Sequence, residues 1–344
     1  MKTMLQGAFG LALAAILLYW VFHSMDPKAL RDDLARASWT MLAAGAAVNL
    51  SHNVFRVWRW RWLLDPVRPR VPFRPMFTAV ILGYFTTWLI PGRVGELVRP
   101  ALLSAREDLP LGPCLGTVVA DRLLDGTTLV VLLALGSLGA SFAPSALGVA
   151  DGIRATAWVF LGVTVAGLVG LVALSGAGPR AERWLAGRPA VVKWLGHALL
   201  GLSRGASALR SPRRLLLIVL YSALAWLTIG LGTWIGVRAS GVAVGFSDIL
   251  VMLLPLAFGV AIPTPGGVGG YHAAMQFGLT RLFGVDPTLA AGAGILMHLA
   301  ILVPILALGP VLLATEKISW RDMVAAARQV KAMGHAGPAI EAAR

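Results

Sequence analysis

Long apolar runs separated by short basic stretches dominate the chain. Six of them, near residues 4–22, 38–55, 113–140, 156–175, 214–237 and 288–314, are long enough to cross a hydrocarbon core of about 30 Å as helices. Two further stretches, 76–104 and 248–283, are apolar but interrupted. The first breaks at Pro91-Gly92 and the second within the IPTPGGVGG run at 262–270. Each arm falls short of the roughly 20 residues a crossing needs. The pattern therefore predicts two re-entrant helical hairpins, whose unwound backbone must face protein or a watery cavity rather than lipid. The expected fold is an all-α polytopic membrane protein with about six full spans and two such hairpins. The first apolar run lacks a small-x-small cleavage site near its end and reads as a helix that stays.

Composition agrees. With 57% hydrophobic and 13% charged residues and a mean hydropathy of +0.76, the chain is too apolar for a water-soluble globule. The alternating segments of roughly ten residues that mark a β-barrel are absent. One cysteine, Cys114, leaves no intrachain disulfide and no zinc cluster. A net charge of +14 would suit nucleic acid, but the basic residues sit mainly in short loops between apolar runs. Membrane surface is the better match, and no nucleic-acid partner is expected.

The charges also orient the chain. Arg56 to Arg74, Arg180 to Arg214 and Lys317 to Lys331 hold the basic clusters, and all three fall on one side if spans alternate and hairpins return to their starting side. The other side holds Lys28, Arg31, Arg36, Arg154, Arg238 and Arg281, partly offset by Asp26, Asp32, Asp33, Asp151, Asp248 and Asp286. Positive loops stay inside, so both termini are expected in the cytoplasm. The halves, about 1–140 and 156–315, then each read span, span, hairpin, span in opposite orientation. LIPGRVGE at 89–96 and AIPTPGGVGG at 261–270 occupy matching places. Inverted repeats with broken helices are a transporter signature, and the breaks point to the substrate site. The plainer alternative is that Gly and Pro are simply common in membrane helices. Residues 180–210 mix Trp184, Trp194 and leucines with basic groups and predict an interfacial helix. Residues 316–344 form a tail with a short surface helix and no assigned activity.

Candidate chemistry clusters at the breaks. After Pro91-Gly92 come Arg93, Glu96 and Arg99. A restarting helix places free N–H groups and its positive dipole end there, and two guanidiniums add forks that match phosphate oxygens. Glu96 would hold the arginines or carry a coupling proton; the alternative is a structural ion pair capping a hairpin. Asp121, Arg122 and Asp125 lie early in the third span, with the aspartates four apart on one face. They can pair with Arg93 or Arg99, relay protons, or clamp the span to the hairpin. Asn49, His52, Asn53, Arg56, Arg59 and Arg61 end the second span, where alternating Trp58, Trp60 and Trp62 read chiefly as an interface anchor. Lipid-phosphate contact is the functional version for Asn49 and Arg56. The second break carries Pro263, Pro265, Gly266, Gly267, Gly269 and His272, read as a gate. His272 and His298 are each as readily packing residues. No nucleotide loop, His-Glu-x-x-His motif or serine elbow is present, so neither cofactor nor metal nor enzyme activity is expected.

The blocks RVWRWRWLL at 56–64, GYFTTWLIPGRVGELVRP at 83–100, DRLLD at 121–125 and PTPGGVGG at 263–270 resemble the lysylphosphatidylglycerol-synthase transmembrane region, also called the flippase-like domain family. The order and spacing match over nearly the whole chain. The resemblance implies a multi-pass protein of the bacterial plasma membrane, related to the lipid-flipping half of aminoacyl-phosphatidylglycerol synthase/flippases. It implies a membrane phospholipid or polyprenyl-phosphate-linked lipid as partner, and is compatible with a homo-oligomer. Nothing beyond residue 316 reads as the soluble aminoacyltransferase domain, so the synthase activity is not carried over. Two positions depart from the family pattern: Asp121 stands where Glu is usual, and His272 where a Glu commonly follows the glycines. The function expected is a lipid flippase acting on an anionic lipid or lipid-linked envelope precursor. The alternative is a membrane enzyme or accessory subunit in glycolipid, hopanoid or other envelope-lipid synthesis.

Overall fold

The structure, a computed structural model, describes residues 2–23, 25–90 and 94–335. Among them the chain is helical throughout, without a strand. Pro91, Gly92 and Arg93, the first predicted break and its leading arginine, lie outside the described residues.

Helices α1 (Lys2–Phe22) and α2 (Pro27–Arg36) lead to α3 (Trp39–Leu64). The Asp26 carboxylate caps α2 by accepting from Lys28 N at 2.8 Å. The backbone N–H of Ser38, the cap of α3, donates to Ala239 O at 2.8 Å and ties the start of α3 to a distant helix end. The apolar pattern predicts that this second span ends at 55, yet the helix continues to Leu64. The reason is that Arg56 and Arg59 turn inward onto partners, so the charges do not end the buried segment.

Each interrupted stretch forms two helices that pack on each other. In the first, α4 (Phe73–Leu89) and α5 (Gly95–Glu107) pack so closely that Gly83 meets Gly95 and Arg99. In the second, α11 (Phe246–Ala261) meets α12 (Gly270–Phe283) through Gly259 against Gly270 and Ala274, and Met252 against Gly278. The linker between α11 and α12 turns through Gly266, Gly267 and Gly269 at φ of 62°, 67° and 89°, backbone that only glycine adopts without strain. Asp248, at the start of α11, accepts from Gly245 N at 2.7 Å and from Ser141 N at 2.8 Å, which pins the second hairpin to the loop after α6 (Leu111–Ser137).

α7 (Leu147–Gly176), α10 (Pro212–Ala239) and α13 (Pro287–Thr315) are each long and apolar enough to cross a membrane by length and composition. The end of α1 with α2 would add a fourth as one bent span. α3 and α6 have 26 and 27 residues, about 40 Å at 1.5 Å per residue. They fall outside the apolar class because they carry the arginines and aspartates described below.

Two regions expected at the surface pack partly against the bundle, although the first helix of one, Gly178–Ala186, stays largely exposed. The predicted interfacial helix at 180–210 is two helices, α8 (Gly178–Ala186) and α9 (Ala190–Gly205), and α9 wedges against α6 with Gly205 on Gly116 and Thr117. α14 (Trp320–His335) docks Met323 and Ala326 into the core beside α4 and α5. Glu316 holds its start by accepting from Arg74 Nε at 2.6 Å and Arg106 Nη2 at 2.8 Å.

Candidate functional site

The approach of α3 to α10 positions the polar centre. A Cβ on Gly232 would lie 2.6 Å from Asn49 N and 2.7 Å from Gly45 O, so only hydrogen permits this spacing. Further along the same pair, Arg56 and Arg59 face Ser222 and Trp226. Arg56 and Arg59 are three apart on α3, and Asp121 and Asp125 four apart on α6, so each pair shares one helix face. The two faces meet.

Asp125 Oδ1 accepts from Arg59 Nη1 at 2.8 Å and Trp226 Nε1 at 2.8 Å, while its Oδ2 accepts from Arg56 Nη1 at 2.9 Å. Asp121 Oδ1 lies 2.7 Å from Arg59 Nη2, and Asp121 Oδ2 lies 3.0 Å from Arg99 Nη1 and 3.2 Å from Arg122 Nη2. Arg122 also reaches Asp125 Oδ2 at 3.4 Å. Arg59 and Asp121 side chains are wholly buried. The guanidinium of Arg99 lies 4.0 Å from the Trp60 ring centroid, and Trp60 Nε1 donates to Thr117 Oγ1 at 2.9 Å. These bonds join α3, α5, α6 and α10.

Four guanidiniums thus surround two carboxylates. Glu96 lies within electrostatic reach of Arg122, and positive charge remains in excess even when it is counted. The Nε atoms of Arg56, Arg59, Arg99 and Arg122, and Nη2 of Arg99, are buried without a hydrogen-bond partner among the described residues. Excess buried charge and unmet donors cost free energy, and such groups inside a membrane mark binding or transport paths. An anion with several acceptor oxygens meets both needs.

A cavity of about 270 Å³ opens from this cluster. At one end it is lined by Asn49, His52, Arg56, Arg122 and Asp125; the rest is apolar and aromatic, with Leu129, Phe160, Trp226, Leu253, Val260 and Ile305 among its walls. One charged end and one greasy body fit an amphiphile rather than a soluble metabolite.

Of the residues singled out in the sequence, Asn49, Arg56, Arg122 and Asp125 line the cavity, and Arg99 and Asp121 lie directly behind them. The helices that flank the second break line the same cavity through Val260 and Tyr271, and the break packs on its wall. Gly267 abuts the Trp88 ring, His298 Nε2 bonds Gly266 O at 2.9 Å, and Tyr271 and Trp88 both line the wall. Pro263 O lies against Gly10, and Pro265 is beside it, on the α1 side. Gly269 sits against Ala14, and its N–H donates to His272 Nδ1 at 3.3 Å. His272 packs on His298 with ring centroids 4.8 Å apart.

The reading of Arg59 as a surface anchor is corrected: it is buried in ion pairs, as is Arg56, because α6 supplies carboxylates at their depth. Arg61 stacks on Trp58 at 5.1 Å. Arg59 was the omission from the candidate site, although its three-residue offset from Arg56 was visible. Trp226, Ser222 and Tyr84 carried no local signal; they enter through the α3–α10 contact and the cavity wall.

The family model described as lysylphosphatidylglycerol synthase TM region matches residues 7–309. The chain is also similar to glycosyltransferase AglD of Haloferax volcanii, 27% identical over 319 residues. That match covers 84% of this chain and 50% of the relative, so the chain spans about half the length of this relative.

Proposed function

The chain belongs to the lysylphosphatidylglycerol synthase TM-region family, and we propose that it moves an anionic, phosphate-bearing lipid or lipid-linked envelope precursor between membrane leaflets. The observation that carries this reading is the surplus of buried guanidinium donors at the charged end of an otherwise apolar cavity. Arg56 and Arg122 hold the phosphate, and Asp121 and Asp125 keep the four arginines together when it is away. Arg59 and Arg99 brace the cluster from behind. Arg93, outside the described residues, is a further candidate cation by its sequence alone.

The topology we propose has six crossings, both hairpins re-entrant, inverted halves and both termini in the cytoplasm of a bacterial cell, with the chain in the plasma membrane. Exchanged contacts support the repeat. α3 and α10, the second span of each half, pack on each other at the centre; the first hairpin packs on α13 and the second on α6, each the last span of the other half. Rocking of such halves exposes a central site to either leaflet. The partner is a phospholipid or polyprenyl-phosphate-linked lipid whose tails remain in the bilayer.

Native mass spectrometry of the protein purified with added phosphatidylglycerol tests this, comparing wild type with Arg56→Gln/Arg122→Gln. Wild type should retain an anionic lipid that the variant loses at least tenfold. Equal retention by both sinks the headgroup assignment.

The similarity to a protein named a glycosyltransferase favours a second reading, a membrane enzyme or accessory subunit in envelope-lipid synthesis. It needs Asp121 or Asp125 as base, yet every oxygen of both carboxylates already faces a guanidinium or indole donor. Consumption of a nucleotide-sugar donor by purified protein, lost in Asp125→Asn, would favour it over transport.

A further inference from the structure

The cavity must admit a lipid from the side, and the helices around it differ in how firmly they close. α7 carries an outward apolar face, with Trp158 and Val159 both 69% exposed. It is held to α6: a Cβ on Gly126 would lie 2.6 Å from Thr164 Cγ2, Thr127 Oγ1 bonds Thr164 Oγ1 at 3.3 Å, and Gly167 lies against Leu123. Towards α11 the contact is aromatic, Phe160 on Phe258, with ring centroids 5.3 Å apart and planes tilted by 60°. Phe160 lines the cavity, whereas Phe258 is 43% exposed on the outer surface. The Phe160 ring lies against Gly126, one residue beyond Asp125. The pair is therefore a wall one side chain thick between the outer surface and the charged end of the cavity.

Resting on the lipid-transport reading, we infer that the Phe160–Phe258 pair is a lateral gate through which an anionic lipid brings its headgroup to Arg56 and Arg122 while its hydrocarbon tails stay outside between α7 and α11. Physical chemistry supports the choice of aromatic residues. Two rings held by a contact worth about 0.5–1.5 kcal/mol beyond burial can part by rotamer changes without unfolding a helix. Neither ring hydrogen-bonds, so opening leaves no buried polar group unpaired. The gap also lies at the depth of the charges, so the headgroup need not travel along the bundle.

The test locks the gate. Phe160→Cys/Phe258→Cys, made with buried Cys114 replaced by Ser, is crosslinked and placed in nanodiscs, and uptake of deuterated phosphatidylglycerol is followed by native mass spectrometry. Crosslinking should slow exchange at least tenfold, and reduction should restore it. Phe160→Ala/Phe258→Ala should exchange several-fold faster than wild type. Full-rate exchange by the crosslinked protein overturns the gate while leaving lipid binding intact. The crosslink is a reducible bifunctional maleimide, because two cysteines lack the reach of two phenyl rings, and intact mass confirms it before uptake is read. Absence of any uptake by wild type overturns the transport reading, and the gate with it.

Discussion

Asp125→Asn removes one negative charge from the centre of the cluster and changes almost nothing in shape. In the native protein the carboxylate takes Arg59 and Trp226 on one oxygen and Arg56 on the other, at 2.8 to 2.9 Å, with Arg122 at 3.4 Å. After the change, Asp121 alone faces four guanidiniums. Breaking a buried pair by removing one partner costs about 3–5 kcal/mol, because the remaining charge stays buried and uncompensated. The amide keeps one acceptor oxygen, and a hydrogen bond to a charged group is worth about 1.5–3 kcal/mol, so the loss should fall at the lower end, about 3 kcal/mol. That lowers the folded-to-unfolded ratio by about 150-fold. Reversible unfolding by SDS in mixed micelles, read by tryptophan fluorescence, measures it. Asp151→Asn, which removes an exposed partner of Arg154, is the control and should stay within about 0.5 kcal/mol. Anionic lipid should restore part of the loss, since a ligand at 100 times its Kd adds about 2.7 kcal/mol. A loss below about 1 kcal/mol would refute the claim that these arginines depend on Asp125.

Gly232→Val should fail to fold or lose well over 1 kcal/mol, measured by the same unfolding assay, because the backbone of α3 lies where the side chain must go; wild-type stability would show that the two helices can separate cheaply. Glu316 gives a pH-dependent prediction. Hydrogen bonds from Arg106 and Arg74 hold its carboxyl below the usual carboxylate range. A depressed folded value means that the clamp contributes fully above the unfolded value of about 4.3 and is lost as pH falls through the lower folded value. The protection factors of α14, with the intrinsic pH dependence of amide exchange divided out, should therefore be steady from neutral pH to about 5 and fall in more acidic buffer. Glu316→Gln should show lower protection already at neutral pH and little further change; the effect is modest because Arg74 is largely exposed.

Periodicity and breaks determined a good deal by themselves. The two interrupted stretches each become a pair of helices with outer bounds within a few residues of those expected, because Pro and Gly act on their own backbone and need no distant partner. The ion pairing of Arg99 with Asp121 was legible for a related reason: charges in apolar segments must find each other. The end of α3 was not legible. Arg56 and Arg59 look like a membrane boundary until α6 is seen to bring aspartates to their depth. The burial of α9 was likewise hidden, since a basic amphipathic stretch reads the same on a lipid surface and in the groove beside α6. Only the tertiary structure decided that four arginines share two aspartates, that the Phe160–Phe258 contact forms the wall, and that Trp88 and Tyr271, from the two interrupted stretches, line one cavity. Those facts depend on helix–helix distances set by backbone contacts such as Gly45 on Gly232, and a contact between residues so far apart in the chain leaves no trace in local periodicity.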